Sequence, residues 1–324
     1  MGNYLVTGAA GFIGSAVARK LIAGEHEVVT IDNLSTGNKN QVPDGVELIE
    51  CNCQDSTVIS KLGDRRFDAI LHIAGQSSGE VSYDDPIYDL QTNGQATLML
   101  MKHALSIGCK KFVYASTMSV YGESVVQPVN ENIRPLPKSF YAVGKLASEN
   151  YMRVFSEMGL ATTALRLFNV YGPCQNLKNN RQGMISIYLS QAIQRQAIHV
   201  KGSGDRYRDH VYIDDVVDAF LKSMMLNKPE FRVFNIGSGV KTKVKKVVDA
   251  IRNGLSNSIF VKYDGATPGD IHGIYADVRM AKRILNWSPT IDFKSGMDKM
   301  IKWATVGNKS MRSHLYTKST STIK

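Results

Sequence analysis

This 324-residue sequence predicts a doubly wound α/β fold, a parallel sheet covered by helices on both faces, with a smaller mixed α/β region beside it. Three observations carry the prediction. Strand-like apolar runs recur at Tyr4–Thr7, Val28–Ile31, Val46–Glu50, Ala69–Ile73, Lys111–Ala115 and Thr162–Leu167, and helical patterns such as Ser15–Ala23 and Ala96–Ile107 separate most of them. The first run passes directly into a glycine-punctuated turn, Thr7-Gly-Ala-Ala-Gly-Phe-Ile-Gly14. The second run is followed by an acid, Asp32, placed 18 residues beyond Gly14.

The turn reads as a phosphate-binding element. Gly8 permits a tight reversal, Gly11 lets the main chain approach a pyrophosphate, and Gly14 lets the new helix pack against its strand. The free N–H groups at the helix start then face an anion. A carboxylate at Asp32 suits ribose hydroxyls, although a helix cap or a solvated loop acid would also fit that position. It would repel a 2′-phosphate, and no arginine follows closely, so NAD is favoured over NADP.

The inner runs are apolar enough to be covered on both faces. After Leu167 the character changes, with the cluster Tyr171-Gly-Pro-Cys-Gln-Asn176, the polar stretch Lys178–Gln182 and a helical run from Met184 to Gln194. A ligand can enter there. Strand-like His210–Ile213, a helix around Val216–Met225 and a strand at Phe231–Ile236 follow, and these later strands can extend the first sheet. The expected division is a cofactor half over residues 1–168 with contributions from about 210–236, a mainly substrate-binding region over 169–303, and a basic, mobile tail over 304–324.

Composition narrows the function. No apolar run reaches the roughly 18 residues that span a bilayer, the chain begins without a basic leader, and Val6 stands where a myristoylation signal wants Ser or Thr. A soluble cytoplasmic protein is expected. Cys51, Cys53, Cys109 and Cys174 form no Cys-x-x-Cys pair, so neither a zinc site nor a disulfide framework is expected. The formal charge of +10 comes from scattered lysines and arginines without a stacking motif, which argues against nucleic acid. It suits a polyanionic small molecule, and equally a solvated basic surface.

Tyr141-Ala-Val-Gly-Lys145 puts a phenol and an ammonium four residues apart on one helix face, a spacing that surface packing also produces. Ser116-Thr117, just beyond the Lys111–Ala115 run, adds hydroxyls at the sheet edge where such folds bind ligands. Together these groups suit removal of a proton from a sugar hydroxyl coupled to hydride transfer from carbon. A free tyrosine has a pKa near 10, so a base working near pH 7 requires about 4 kcal/mol in favour of the phenolate. A nearby ammonium and a positive nicotinamide ring can supply it in a dry site.

At this point the chain resembles the extended short-chain dehydrogenase/reductases, and within them the nucleotide-sugar 4-epimerases of the UDP-glucose 4-epimerase kind. The matches run from residue 4 to about 303: the glycine turn, Asp32-Asn-Leu-Ser-Thr-Gly37, His72-Ile-Ala-Gly75, Ser116-Thr-Met-Ser-Val-Tyr-Gly122, Tyr141-Ala-Val-Gly-Lys145, Arg166-Leu-Phe-Asn-Val-Tyr-Gly172, Arg208-Asp-His-Val-Tyr-Ile-Asp-Asp215, Phe234-Asn-Ile-Gly237 and Pro268-Gly-Asp270. The resemblance implies a Rossmann-type sheet, tightly bound NAD, a nucleoside-diphosphate sugar as substrate, most readily a UDP-sugar, and a homodimer through the helices near Thr92–Ile107 and Phe140–Glu157. It implies epimerisation at C4 through a transient 4-keto sugar. The alternatives are another nucleotide-sugar oxidoreductase on the same fold or a catalytically silent NAD-binding scaffold.

By the same resemblance Tyr141 is the base, Thr117 shares the substrate hydrogen bond, and Lys145 binds the nicotinamide ribose and lowers the tyrosine pKa. Cofactor contacts fall on Gly8, Gly11, Phe12, Ile13, Gly14, Asp32, Asn33, Ser35, Thr36, Gly37, Asn52, Cys53, Ile73, Ala74, Gly75, Asn93 and Phe168, besides Tyr141 and Lys145. Substrate contacts fall on Asn169, Met184, Val200, Arg208 and Asp270, besides Thr117 and Tyr141. Four departures from the family pattern stand out: Cys51-Asn52 in place of Gly-Asp, Gly79 for an apolar residue, Ala96 for a helix glycine, and Thr267 for an arginine that grips the diphosphate. Met118 and Ser119 replace the acids that related dehydratases and decarboxylases carry after the threonine, so those reactions are not expected. Ile274 lies where bulk limits N-acetyl groups in the family, which favours a plain hexose.

Overall fold

The computed structural model describes residues 1–255, 258–265 and 271–318. Alternating side chains dictate the sheet. In β1 (Asn3–Thr7) Leu5 packs into one apolar layer and Val6 into the other, and in β5 (Lys111–Thr117) Phe112 and Val113 divide in the same way. With both faces buried, such strands need helices on each side. The remaining strands are β2 (Glu27–Asp32), β3 (Val46–Glu50), β4 (Ala69–His72), β6 (Ala161–Leu167) and β7 (Phe231–Ile236).

All seven are parallel and run in the order β7-β6-β5-β4-β1-β2-β3. The order reverses between β1 and β4, and a ligand crevice opens beyond the carboxyl ends of strands at such a switch. Of the two late strands considered in the sequence, Phe231–Ile236 extends this sheet. His210–Tyr212 pairs instead with Asn169–Tyr171 in a separate two-stranded ribbon.

The helices that position the site are α1 (Phe12–Ala23), α2 (Pro86–Leu90), α3 (Ala96–Ser106), α4 (Phe140–Glu157), α5 (Met184–Arg195) and α6 (Ile213–Ser223). A helical pattern was expected over Ala96–Ile107, within a helix near Thr92–Ile107, and the α-helix forms over Ala96–Ser106. Before it comes a π-helical turn, Gln91–Gln95, and there the main-chain oxygen of Asn93 accepts the hydroxyls of Thr97 and Ser148, each at 2.6 Å. The last helix runs Phe293–Lys318, so residues 304–318, expected as tail, continue a helix that no proline interrupts.

Candidate active site

The glycine turn forms as its sequence requires. Gly8 has φ +81° and donates its N–H to Ile31 O at 2.8 Å, bending the chain back over β2. A Cβ on Gly14 would sit 2.1 Å from Gly8 O, so helix and turn meet at backbone distance. Asp32 is buried at the end of β2, and its two oxygens accept Ala10 N at 2.9 Å and Leu34 N at 2.8 Å. Each oxygen keeps acceptor capacity toward the crevice.

A cavity of about 430 Å³ lies over this turn. Gly8, Gly11, Phe12, Ile13, Gly14, Asp32, Asn33, Ser35, Thr36, Gly37, Cys53, Ile73, Ala74 and Gly75 line it, as the sequence led us to expect. Asn52 does not line it. That amide is held sideways, accepting from Asn33 Nδ2 at 2.8 Å and donating to Asp55 Oδ2 at 2.9 Å, while Cys51, Cys53 and Gln54 face the space. The four cysteines are free.

A second group of expected residues meets the far side of Gly75. Ser139 caps α4, its Oγ accepting Ala142 N at 3.2 Å, and this sets Tyr141 in the first turn and Lys145 one turn later. Lys145 donates to Ala115 O at 2.9 Å, and its Nζ lies 4.6 Å from the centre of the Tyr114 ring and 5.9 Å from that of Tyr141. Thr117 ends β5 and caps the turn Met118–Tyr121, its Oγ1 accepting Ser119 N at 3.1 Å. Behind them Glu149 and Arg166 form a buried ion pair at 2.7 Å, and Glu149 also accepts the Ser116 hydroxyl. This locks α4 onto β5 and β6.

Burial governs the charges here. It pushes the Tyr141 phenol up to about 12, with the Thr117 side chain pulling it back and Asp89 raising it further. It pushes the Lys145 ammonium down to about 8, with Asp89 opposing. His72, which receives or gives a hydrogen bond at 2.8 Å to Thr7 Oγ1, is driven down to about 3 by burial and then by Lys145.

Of the expected substrate residues, Asn169, Met184, Val200 and Arg208 are not among those that line the cavity over the glycine turn. Asn169 donates to Asp209 O at 3.2 Å, Met184 begins α5, and Val200 is fully buried in the strand Ala197–Lys201. Arg208 is buried, donates to the carbonyls of Tyr207 and Ile271, and is pushed down to about 10 by burial and then by Arg206. Phe168 packs with Val120, Tyr121 and Ile274, and Ile274 itself is fully buried. Asp270 and Thr267 lie outside the described residues. Among the described residues no group of three or more His, Cys, Asp or Glu is placed to hold a metal ion, and no helix is long and apolar enough to cross a membrane.

Three parts of this region go beyond the site residues expected from sequence, although the polar stretch after Tyr171 was expected as a place where a ligand enters. Gln76, Ser77 and Ser78 extend the cavity wall directly after Gly75. The polar stretch after Tyr171 also arches over the cavity, with Gln175, Asn176, Asn179, Arg181 and Gln182 in its wall. Arg181 is ion-paired with Asp84 at 2.7 Å and approaches Glu80 at 3.6 Å. The third is Asp89, a buried acid that stands four residues before Asn93.

Comparison with known proteins agrees with this geometry. The UDP-glucose 4-epimerase of Mycolicibacterium smegmatis is 31% identical over 306 residues, covering 92% of this chain and 97% of that protein. The crystal structure of a Thermotoga maritima UDP-glucose 4-epimerase with UDP-glucose superposes with a TM-score of 0.91 at 32% identity, covering 94% of this chain and 99% of the other. A Thermus thermophilus UDP-glucose 4-epimerase in complex with NAD superposes at 0.86 and 29% identity, covering 93% and 98%. Residues 4–237 match the NAD dependent epimerase/dehydratase family, and the chain belongs to that family.

Proposed function

We propose that the protein is an NAD-dependent epimerase that inverts C4 of a UDP-hexose through a transient 4-keto sugar. The observation that carries this reading is the joining of two constructions at Gly75: the cavity over the glycine turn and Asp32 on one side, and a buried phenol, ammonium and hydroxyl on the other.

The residues fit the cofactor. The turn tolerates no Cβ at Gly14, and the buried Asp32 carboxylate faces the place of an adenosine ribose, with no arginine following it. NAD, when bound, supplies a reversible acceptor for the C4 hydrogen and a positive ring beside the phenol. Tyr141 takes the proton of the C4 hydroxyl, and Thr117 holds that hydroxyl from the strand end. Lys145, anchored on Ala115 O, favours the phenolate. In the protein by itself burial keeps the phenol protonated, so the base forms only with the complete site.

Arg208, a buried guanidinium able to make paired hydrogen bonds to phosphate oxygens, is the group we assign to the diphosphate. Met118 and Ser119 leave no acid pair beside Thr117, which disfavours dehydration and decarboxylation. A homodimer through the helices near Thr92–Ile107 and Phe140–Glu157 belongs to this reading, and the exposed Phe140, Val143 and Val154 on α4 support it. Light scattering reads the dimer directly. The reaction is tested by following purified protein with a panel of UDP-sugars by NMR.

A further inference from the structure

The corner beneath Tyr141 and Lys145 holds a third ionisable group. Asp89, on α2, is 1% exposed. Its Oδ1 accepts Gln76 Nε2 at 2.8 Å and Asn93 Nδ2 at 3.2 Å, and Asn93 in turn donates to Gln76 O at 3.0 Å. Its Oδ2 has no hydrogen-bond partner among the described residues. That oxygen is aimed at α4: a Cβ on Gly144 would lie 3.2 Å from it, and Gly144 sits between Tyr141 and Lys145 on the helix. The side chain cannot drift away, because the π-helical turn that carries Asn93 is pinned to α4 through the Ser148 hydroxyl.

An unpaired carboxylate oxygen in so dry a place is costly unless a charge nearby uses it. We propose that Asp89 is a positioning residue of the active site, whose negative charge, brought against α4 at Gly144, keeps the protons on both Lys145 and Tyr141 until the ligands bind. The proposal rests on the roles given above to those two residues. Burial pushes the Asp89 carboxyl up, while Asn93, Gln76 and Lys145 pull it back toward the charged form. The sign agrees on both neighbours, since Asp89 raises Tyr141 and raises Lys145.

The elements packed on α2 are the π-helical turn, α4 and the short turn Val81–Tyr83. The π-helical turn carries no titratable group. The short turn carries Tyr83, half-exposed and donating to Lys138 O, and α2 itself carries Tyr88. On α4 the groups are Tyr141, Lys145, Glu149, Tyr151, Arg153 and Glu157, and Asp89 acts on the first two.

The test is Asp89→Asn, which keeps the shape and the Oδ1 acceptor, with Asp89→Ser as a smaller neutral substitute should the amide crowd Gly144. In cofactor-free protein the Tyr141 phenol is read as the tyrosinate absorbance lost in a Tyr141→Phe background. The neutral variants should move that titration down by about half a pH unit or more. In the complete enzyme both limbs of the rate profile should move to lower pH together, since Tyr141 ionises sooner and Lys145 loses its proton sooner. A phenol titration that stays in place overturns the proposal, whether or not the protein turns over any sugar. A uniform fall in rate with both limbs unmoved overturns it too, since Asp89 would then be only a packing residue. Lack of turnover with every sugar, alongside a shifted phenol, counts against the epimerase reading and leaves the Asp89 coupling standing.

Discussion

The glycine turn and the Tyr141 corner touch at Gly75, yet they are built in opposite ways. The turn is backbone from consecutive residues, and its function lies in what side chains are left out: a Cβ at Gly14 would strike Gly8 O at 2.1 Å. The corner is made of side chains from β5, α2, the π-helical turn and α4, and its function lies in charges that burial has moved, with the phenol near 12 and the ammonium near 8. The first is a shape and the second is an electrostatic state. Substitutions should therefore damage them differently, the turn through binding and the corner through rate and pH.

The largest expected effect separates the two most cleanly. Tyr141→Phe removes only the ionisable oxygen, so turnover should fall by about 10³-fold or more while NAD stays bound. Stopped turnover with full NAD content after gel filtration is the expected result. Gly14→Val should do the reverse in kind, losing NAD on purification because α1 must move off the turn, with stability falling by roughly 3 kcal/mol in denaturant titration.

Arg208→Ala tests the proposed diphosphate contact. It should lower kcat/KM for the sugar nucleotide by about 30-fold or more, on the order of 2 kcal/mol, with most of the change in KM. Arg181→Ala should cost less than about tenfold, because Arg181 is already engaged with Asp84 and Glu80 at an exposed position.

The smallest effect concerns stability. The folded Lys145 pKa, about 8, lies below its ordinary value of 10.5, so burying the charged form costs free energy at neutral pH. Between those values the unfolded chain binds the extra proton, and stability contributed by this residue rises with pH through that window. Lys145→Met should thus be about 1 kcal/mol more stable than the parent at pH 7, an advantage that shrinks as pH rises above 8. Thermal melts across that range measure it.

The same contrast explains what the sequence could reveal. The sheet and its turn were legible because strands, glycines and Asp32 follow one another within local spacing, and their periodicity states the burial directly. Tyr141, Lys145 and Thr117 were legible as motifs. Asp89 was not, since an acid on a five-residue helix looks solvated until the fold packs it on Gly144. Asn52 stands off the cavity wall for a related reason, because a side chain that reads as free in sequence is engaged between Asn33 and Asp55. The arch at 175–182 was visible as a polar stretch, but the wall it forms over the cavity depends on contacts about a hundred residues distant, such as Gln182 with Ser77.

The central claim is the reaction, and one measurement addresses it most directly. Purified protein is incubated with UDP-glucose and, separately, with UDP-galactose, and the anomeric region of the proton NMR spectrum is followed beside the Tyr141→Phe variant. The account predicts that each sugar converts to the same equilibrium mixture of the two, with no other product, and that the variant leaves both unchanged. Unchanged sugars across the UDP-hexose panel, a stable 4-keto-6-deoxy product, or full conversion by the variant would contradict it.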